Sequence, residues 1–114
     1  MEWIKLTHPA QVQELIEASA TEPVLVFKHS TTCSISRMAL DRLERQWQPH
    51  ENASAKTYFL DLLNYRAISN QLAEVFQVRH ESPQVLVIKN GQAVYHESHY
   101  GITYASLQAA LVRS

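Results

Sequence analysis

The segment that decides the fold is VLVFKHSTTCSIS, residues 24–36, in which an apolar run gives way to a polar turn and the chain's only cysteine. Val24–Phe27 is continuously apolar, which is typical of a strand covered on both faces of a sheet. After Thr31-Thr32, apolar side chains recur at helical spacing. The segment therefore predicts a strand that ends in a short turn and delivers Cys33 to the start of a helix.

Helices are predicted on both sides of this strand. Thr7-His8-Pro9 is a helix-start pattern, and the helix that follows is expected to run to about Ala20. The helix after Cys33 carries an apolar stripe from Ile35 to Trp47 and is stopped by Pro49. The polar residues from Pro49 to Ala55 predict a loop.

A second strand is predicted over Lys56–Leu63. It follows a strand and a helix, so a right-handed crossover with parallel strands is expected. Asn64 is a candidate cap for the next helix, which ends near Val78, and Arg79–Pro83 predicts a turn.

The last third of the chain predicts a hairpin followed by a helix. Asn90-Gly91 separates two strand-like runs, Gln84–Lys89 and Gln92–Glu97. This dipeptide favours a type I′ turn, because both of its residues tolerate positive φ. Thr103 can cap a final helix that extends through Val112.

The predicted element order is α-β-α-β-α-β-β-α within a single domain that spans residues 1–114. This is the order of the thioredoxin fold with one additional N-terminal helix. We therefore expect an α/β protein whose four-stranded mixed sheet has helices on both faces. A chain of this length buries roughly two thirds of its unfolded surface, which is sufficient for one core without staples.

Composition narrows the class of protein. The formal net charge is −1 and the basic residues are scattered, which argues against a nucleic-acid partner. No apolar run approaches the roughly 18 residues that a membrane span needs, and the first residues lack a secretory signal pattern. One cysteine excludes an internal disulfide. We therefore expect a cytoplasmic protein, acting as a monomer without a membrane partner.

Cys33 is the candidate nucleophile. A free cysteine has a pKa near about 8.5, and the N–H groups at a helix N-terminus lower it by stabilising the thiolate. Thr32 is a candidate cap that would place Cys33 in the first helical turn. Lys28 and His29 can add positive potential. The alternative interpretation is an inert, buried cysteine that acts as a small hydrophobe.

The spacing Cys33-Ser34-Ile35-Ser36 limits the chemistry. In a Cys-x-x-Cys pair the second thiol resolves the mixed disulfide, and Ser36 at that position cannot do so. Its hydroxyl is expected at the exposed end of the helix, where it can donate a hydrogen bond to the thiolate. The remaining chemistry is monothiol exchange, in which Cys33 takes over a small thiol and an external thiol releases it.

Pro83 is the second element of the predicted site. In a thioredoxin fold a proline before this strand faces the active-site cysteine, and a cis bond there frees the backbone of Ser82 to pair with an extended substrate. The six histidines are dispersed and no Cys-x-x-Cys or His-x-x-x-His cluster accompanies them. No metal site is therefore predicted, and we expect no tightly bound cofactor.

The segment KHSTTCSIS, residues 28–36, closely resembles the active site of the YtxJ-like monothiol bacilliredoxins, which reads Thr-Cys-Pro-Ile-Ser. The likeness covers most of the chain, including the Ser82-Pro83 turn and the Asn90-Gly91 hairpin. It implies a thioredoxin fold and an enzyme that removes bacillithiol, a low-molecular-weight thiol co-substrate, from cytosolic client proteins.

The resemblance also implies roles for individual residues. Cys33 matches the nucleophile, Ser36 the position of the missing resolving thiol, and Pro83 the cis-proline. Ser34 stands where the family usually has proline, a residue that influences redox potential and helix entry. The candidate substrate-binding residues, chosen by expected proximity to the thiol, are Ser30, Thr31, Thr32, Ser34, Ser82 and Gly101.

Two other functions remain open at the level of sequence. One is a monothiol glutaredoxin that uses glutathione and can hold an iron–sulfur cluster between two chains. Those proteins place Gly-Phe between the cysteine and the serine, where this chain has Ser34-Ile35. The other is a non-catalytic thioredoxin-fold adaptor or redox sensor, for which a thiol of ordinary reactivity is expected.

Overall fold

Five strands and four helices cover most of the residues that the computed structural model describes, 1–52 and 54–112. Ala53, within the predicted loop, and the last two residues of the predicted domain lie outside these ranges. The elements are β1 (Ile4–Lys5), α1 (Ala10–Ala18), β2 (Val24–His29), α2 (Ser34–Gln46), β3 (Lys56–Asp61), α3 (Arg66–Phe76), β4 (Gln84–Lys89), β5 (Gln92–Ser98) and α4 (Tyr104–Val112). Short 3₁₀ turns lie at Pro49–Glu51 and His99–Gly101.

The strands form one mixed sheet in the order β1-β3-β2-β4-β5. The strands β1, β3 and β2 are parallel, whereas β4 runs antiparallel to both β2 and β5. The expectation of four strands is therefore wrong by one. Strand β1 was missed because it has only two residues, too few to show the alternation by which a strand is recognised.

Helices cover both faces of the sheet, as predicted. On one face, α1 and α3 bury Val12, Leu15, Ile68, Leu72 and Phe76 against Val24, Val26, Leu60, Leu86 and Ile88. On the other face, α2 and α4 bury Ala39, Leu43, Leu107 and Leu111 against Leu25, Phe27, Val85 and Val87. All six residues of β2 are buried, because this central strand is covered on both sides.

The predicted turn chemistry is confirmed at two places. Asn90 and Gly91 have φ values of 51° and 75°, as a type I′ hairpin requires. Thr103 Oγ1 accepts a hydrogen bond from the Ser106 N–H, so Thr103 caps α4. Asn64 is not a cap, because its amide donates to Asp61 Oδ2 at 2.7 Å and Tyr65 takes the capping position of α3.

Candidate functional site

Cys33 lies at the junction that the sequence predicted, between the end of β2 and the start of α2. It is partly exposed and occupies the N-cap position of α2, with φ −103° and ψ 118°. Its N–H donates to Ser30 O at 3.2 Å, which closes the turn. Thr32 is therefore not the cap; its hydroxyl oxygen lies 3.3 Å from Ser30 Oγ instead.

The N-cap position sets the surroundings of the Cys33 side chain. A side chain at this position meets the unpaired N–H groups of the second and third helical residues, here Ile35 and Ser36, at the positive end of the helix dipole. No side-chain hydrogen bond of Cys33 forms with the described part of the chain. A free, partly exposed sulfur is available to an incoming disulfide.

Ser36 does not occupy the exposed end of the helix, and that expectation is wrong. Its side chain is fully buried. Its Oγ lies 2.7 Å from His29 Nδ1 and accepts the Ser30 N–H at 3.1 Å. The hydroxyl is thus engaged with the strand end and the turn rather than with the thiol of Cys33.

His29 is a residue of the site whose contacts the sequence did not indicate. Its ring is only 6% exposed and packs against Phe27 and Phe59, with centroid distances of 6.2 Å and 5.4 Å. Burial lowers the pKa of His29, and the negative charge of Asp61 opposes this shift in part. The ring is therefore neutral near pH 7 and does not supply the positive potential expected of it.

Lys28 is also buried, on the opposite face of β2. Side chains alternate along a strand, so Lys28 faces the α1/α3 layer while His29 faces the α2/α4 layer. The side chain of Lys28 has no exposed surface, and its Nζ has no hydrogen-bond partner within residues 1–52 and 54–112. Burial lowers the pKa of Lys28 to about 8.

The Ser82-Pro83 peptide bond is cis, which confirms the predicted backbone form. Lys28 is directly opposite Gln84 in the β2–β4 pairing, so Pro83 lies at the same end of the sheet as the turn that carries Cys33. Pro83 O accepts the His99 N–H at 3.1 Å, and Ser82 Oγ is buried without a hydrogen-bond partner. Their roles in binding substrate remain predictions.

The other candidate residues occupy different parts of this end of the sheet. Ser30 is buried within the turn, whereas Thr31, Thr32 and Ser34 are exposed on it. Gly101 belongs to the 3₁₀ turn after β5, where a Cβ would collide with the side chain of Glu97. That turn is held to α2 by Arg42, which donates to Ile102 O at 2.9 Å.

The described residues contain neither a cluster of metal ligands nor a helix that could cross a membrane. Within 1–52 and 54–112, no three His, Cys, Asp or Glu side chains gather as metal ligands would. None of the helices in those ranges has the length and apolar character to cross a membrane.

A lone thiol at a helix N-terminus, at the same end of the sheet as a cis-proline that precedes the neighbouring antiparallel strand, is the arrangement of a thioredoxin-fold thiol oxidoreductase. Comparison with solved structures agrees. A structure described as a candidate oxidoreductase with a thioredoxin fold is 34% identical, with a TM-score of 0.80 over 94% of this chain and 91% of that one. Thioredoxins of Malassezia sympodialis and Fasciola hepatica, both 19% identical, share the fold with TM-scores of 0.72 and 0.71, over 96% of this chain and 88% and 96% of theirs.

The family can be stated more narrowly. The family described as monothiol bacilliredoxin BrxC matches residues 4–107, which is most of the chain. The protein belongs to this family.

Proposed function

We propose that the protein removes bacillithiol from protein mixed disulfides through Cys33, as a monothiol thiol-disulfide oxidoreductase. The observation that carries the proposal is the position of the chain's only cysteine: partly exposed, at the N-terminus of α2, and at the same end of the sheet as cis-Pro83. Membership of the monothiol bacilliredoxin family supports bacillithiol as the small thiol. Bacillithiol is then a co-substrate, and no tightly bound cofactor is required.

The proposed transfer conserves disulfide bonds. The Cys33 thiolate attacks the bacillithiol sulfur of a client–S–S–bacillithiol bond. A new Cys33–S–S–bacillithiol bond forms as the old bond breaks, and the client sulfur leaves with the electron pair as a thiolate, which takes a proton from water. The client thiol is thereby restored.

Turnover requires a second molecule. The sequence contains no other cysteine, so no internal thiol can attack the Cys33 adduct. An external thiolate must attack the bacillithiol sulfur of the adduct and regenerate the Cys33 thiolate. The partners of the protein are therefore bacillithiolated clients and a regenerating thiol, in the reducing cytoplasm, and the protein acts as a monomer.

Intact mass spectrometry tests the proposal directly. The reduced protein is mixed with a bacillithiolated client peptide and, in parallel, with the same peptide glutathionylated. We expect Cys33 to gain the bacillithiol adduct faster, while the Cys33→Ser variant gains none. Failure of Cys33 to acquire bacillithiol would refute the mechanism, and preferential transfer of glutathione would favour the glutaredoxin alternative.

Ser34 stands where the family usually has proline, and substituting it provides a matched variant. Ser34 is exposed and is the first helical residue of α2, a position at which proline is well tolerated. Ser34→Pro restores the residue that the resembling family carries and leaves Cys33 in place. If the variant changes the transfer rate but not the preference for bacillithiol, Ser34 tunes reactivity rather than thiol identity.

A further inference from the structure

The turn that carries Cys33 is tied to the sheet by three buried polar residues, His29, Ser30 and Ser36, which we call the turn lock. Their exposed fractions are 6%, 7% and 0%. Burial of polar groups to this extent destabilises the folded protein unless the groups are hydrogen-bonded. The position of each hydrogen can therefore be assigned from the partners available.

The hydrogen bonds of the turn lock select one tautomer of His29. The Ser30 N–H can only donate, so it uses one lone pair of Ser36 Oγ. If His29 Nδ1 also donated, the Ser36 hydroxyl hydrogen would need another acceptor, and the described residues contain none bonded to it. With the ring hydrogen on Nε2, Nδ1 accepts the Ser36 hydroxyl at 2.7 Å, and Ser36 Oγ donates one hydrogen bond and accepts another.

Asp61 lies on the same face of the sheet as His29. It is the residue opposite His29 in the β2–β3 pairing, and its negative charge raises the pKa of His29 in opposition to burial. Asn64 donates to Asp61 Oδ2, whereas Oδ1 is buried with no hydrogen-bond partner among the described residues. The tautomer of His29 is therefore assigned from its bond with Ser36 and the bond of Ser36 with Ser30.

We propose that His29 is a positioning residue for thiol exchange: by accepting the Ser36 hydroxyl, it holds residues 30–36 in the conformation that presents Cys33. Ser30 and Ser36 each lie three residues from Cys33, one on either side. Both ends of the segment are thus pinned to one buried oxygen. Disulfide exchange needs the attacking sulfur in line with the bond that breaks, so a loosened turn slows the reaction.

The inference rests on the proposed function only in taking thiol exchange as the reaction. It assigns the serine in the resolving position a task of its own. Ser36 is not simply a cysteine that was lost, because its hydroxyl accepts one hydrogen bond and donates another. Sulfur is a weak acceptor and a weak donor, and would serve both bonds poorly.

Two substitutions at His29 separate hydrogen bonding from packing. His29→Phe keeps a ring between Phe27 and Phe59 but removes the acceptor. His29→Asn removes the ring and keeps an acceptor oxygen at about the distance of Nδ1 from the backbone. If His29 acts only as a packing residue, the Phe variant is the more active; if it positions the turn, the Asn variant is.

We expect His29→Phe to lower the rate constant of bacillithiol transfer about tenfold, and His29→Asn to lower it by less than about threefold. The free energies of unfolding are expected in the opposite order, since Phe fills the site better than Asn. His8, which is exposed just before the start of α1, provides control variants His8→Phe and His8→Asn.

A second measurement does not depend on bacillithiol. Alkylation of Cys33 by iodoacetamide over a range of pH reports the thiol's reactivity, and amide hydrogen exchange reports the Ser30 N–H. We expect faster exchange at Ser30 and an altered alkylation profile in His29→Phe but not in His29→Asn. If His29→Phe does not fold, Ser36→Ala removes the same hydrogen bond from the other side and replaces it in the comparison.

The experiments can contradict the positioning role of His29 and the proposed function separately. Transfer and alkylation at wild-type rates in His29→Phe, or rates that follow the free energy of unfolding across the variants, would overturn the positioning role. If the wild-type protein takes up no bacillithiol, the proposed function fails, whereas alkylation and hydrogen exchange still decide the role of His29.

Discussion

Lys28 and His29 are neighbours at the end of β2, both buried, yet the two faces of the sheet treat them differently. His29 is bonded to Ser36 and stays neutral. Lys28 keeps an amino group that finds no hydrogen-bond partner, and its pKa is lowered to about 8 by burial. The comparison teaches that burial of a polar side chain stabilises a site only where partners are provided. On the face of His29, the buried side chain supports the turn that carries Cys33. On the face of Lys28, burial of the amino group costs folding free energy.

The largest expected effect is a gain in stability on removing the amino group of Lys28. Lys28→Met keeps the apolar stem without the charge. The lowered pKa corresponds to a penalty of about 3 kcal/mol at pH 7, so the free energy of unfolding should rise by up to that amount. Urea denaturation measures it, with Lys5→Met, at an exposed position, as the control. An unchanged or lower stability would mean that Lys28 has a partner in solution.

The free-energy penalty of burying the charged amino group of Lys28 should depend on pH. Between about pH 8 and 10.5 the unfolded chain keeps the proton that folded Lys28 has lost, so stability rises with pH in this range. Raising the pH from 7 to 9.5 should shrink the difference between wild type and Lys28→Met by about 2 kcal/mol. Taking the difference between the two proteins cancels the titration of other groups, such as Tyr58, whose pKa is raised by burial. A difference that does not change with pH would contradict the assignment.

On the other face, Ser36→Ala should lower the free energy of unfolding by about 1–2 kcal/mol. The substitution leaves the Ser30 N–H and His29 Nδ1 without their partner. Thermal or urea denaturation measures the loss, and Ser34→Ala, at an exposed position in the same helical turn, is the matched control. Equal stability of the two variants would mean that the hydroxyl of Ser36 is dispensable to the fold.

The smallest expected effect is the acid response of His29. Because its pKa is lowered in the folded protein, the unfolded chain binds a proton first as the pH falls through the ordinary range of histidine. Stability should therefore decrease on acidification below about pH 6.5. His80, whose pKa burial also lowers, contributes in the same direction. His29→Asn should flatten part of this slope, and a slope identical to that of wild type would assign the effect to His80 alone.

Sequence patterns predicted the order of the elements after β1 and the hairpin at Asn90-Gly91, because both follow from local chemistry. The cis bond before Pro83 was predicted from its place in the thioredoxin fold. The sequence did not show which face of the sheet Lys28 and His29 occupy. Every residue of β2 is buried, so no alternation of apolar and polar residues marks the two sides of the strand. The burial of Ser36 left a usable signal. It lies three residues before Ala39 and seven before Leu43, the positions that α2 buries. The predicted apolar stripe from Ile35 to Trp47 included Met38, which is 64% exposed, and left out Ser36 because serine is polar.

The electrostatic roles assigned to Lys28 and His29 could not be predicted for a different reason. Their charges depend on burial and on Asp61, which is distant in the sequence and becomes a neighbour only when β2 and β3 pair. Thr32 was chosen as a cap from residue type alone. The structure gives that position to Cys33, whose own backbone is extended while Ser34 begins the helix.

The two-residue strand β1 has a consequence for solubility. Ile4 and Lys5 pair with Tyr58 and Phe59, and Leu6 donates to Phe59 O at 2.9 Å, so they occupy the open edge of β3. Strand β3 carries adjacent aromatic side chains, and an uncovered edge of this kind recruits strands from other molecules. The pairing of residues 4–6 therefore covers the part of the β3 edge to which a strand of another molecule could otherwise add.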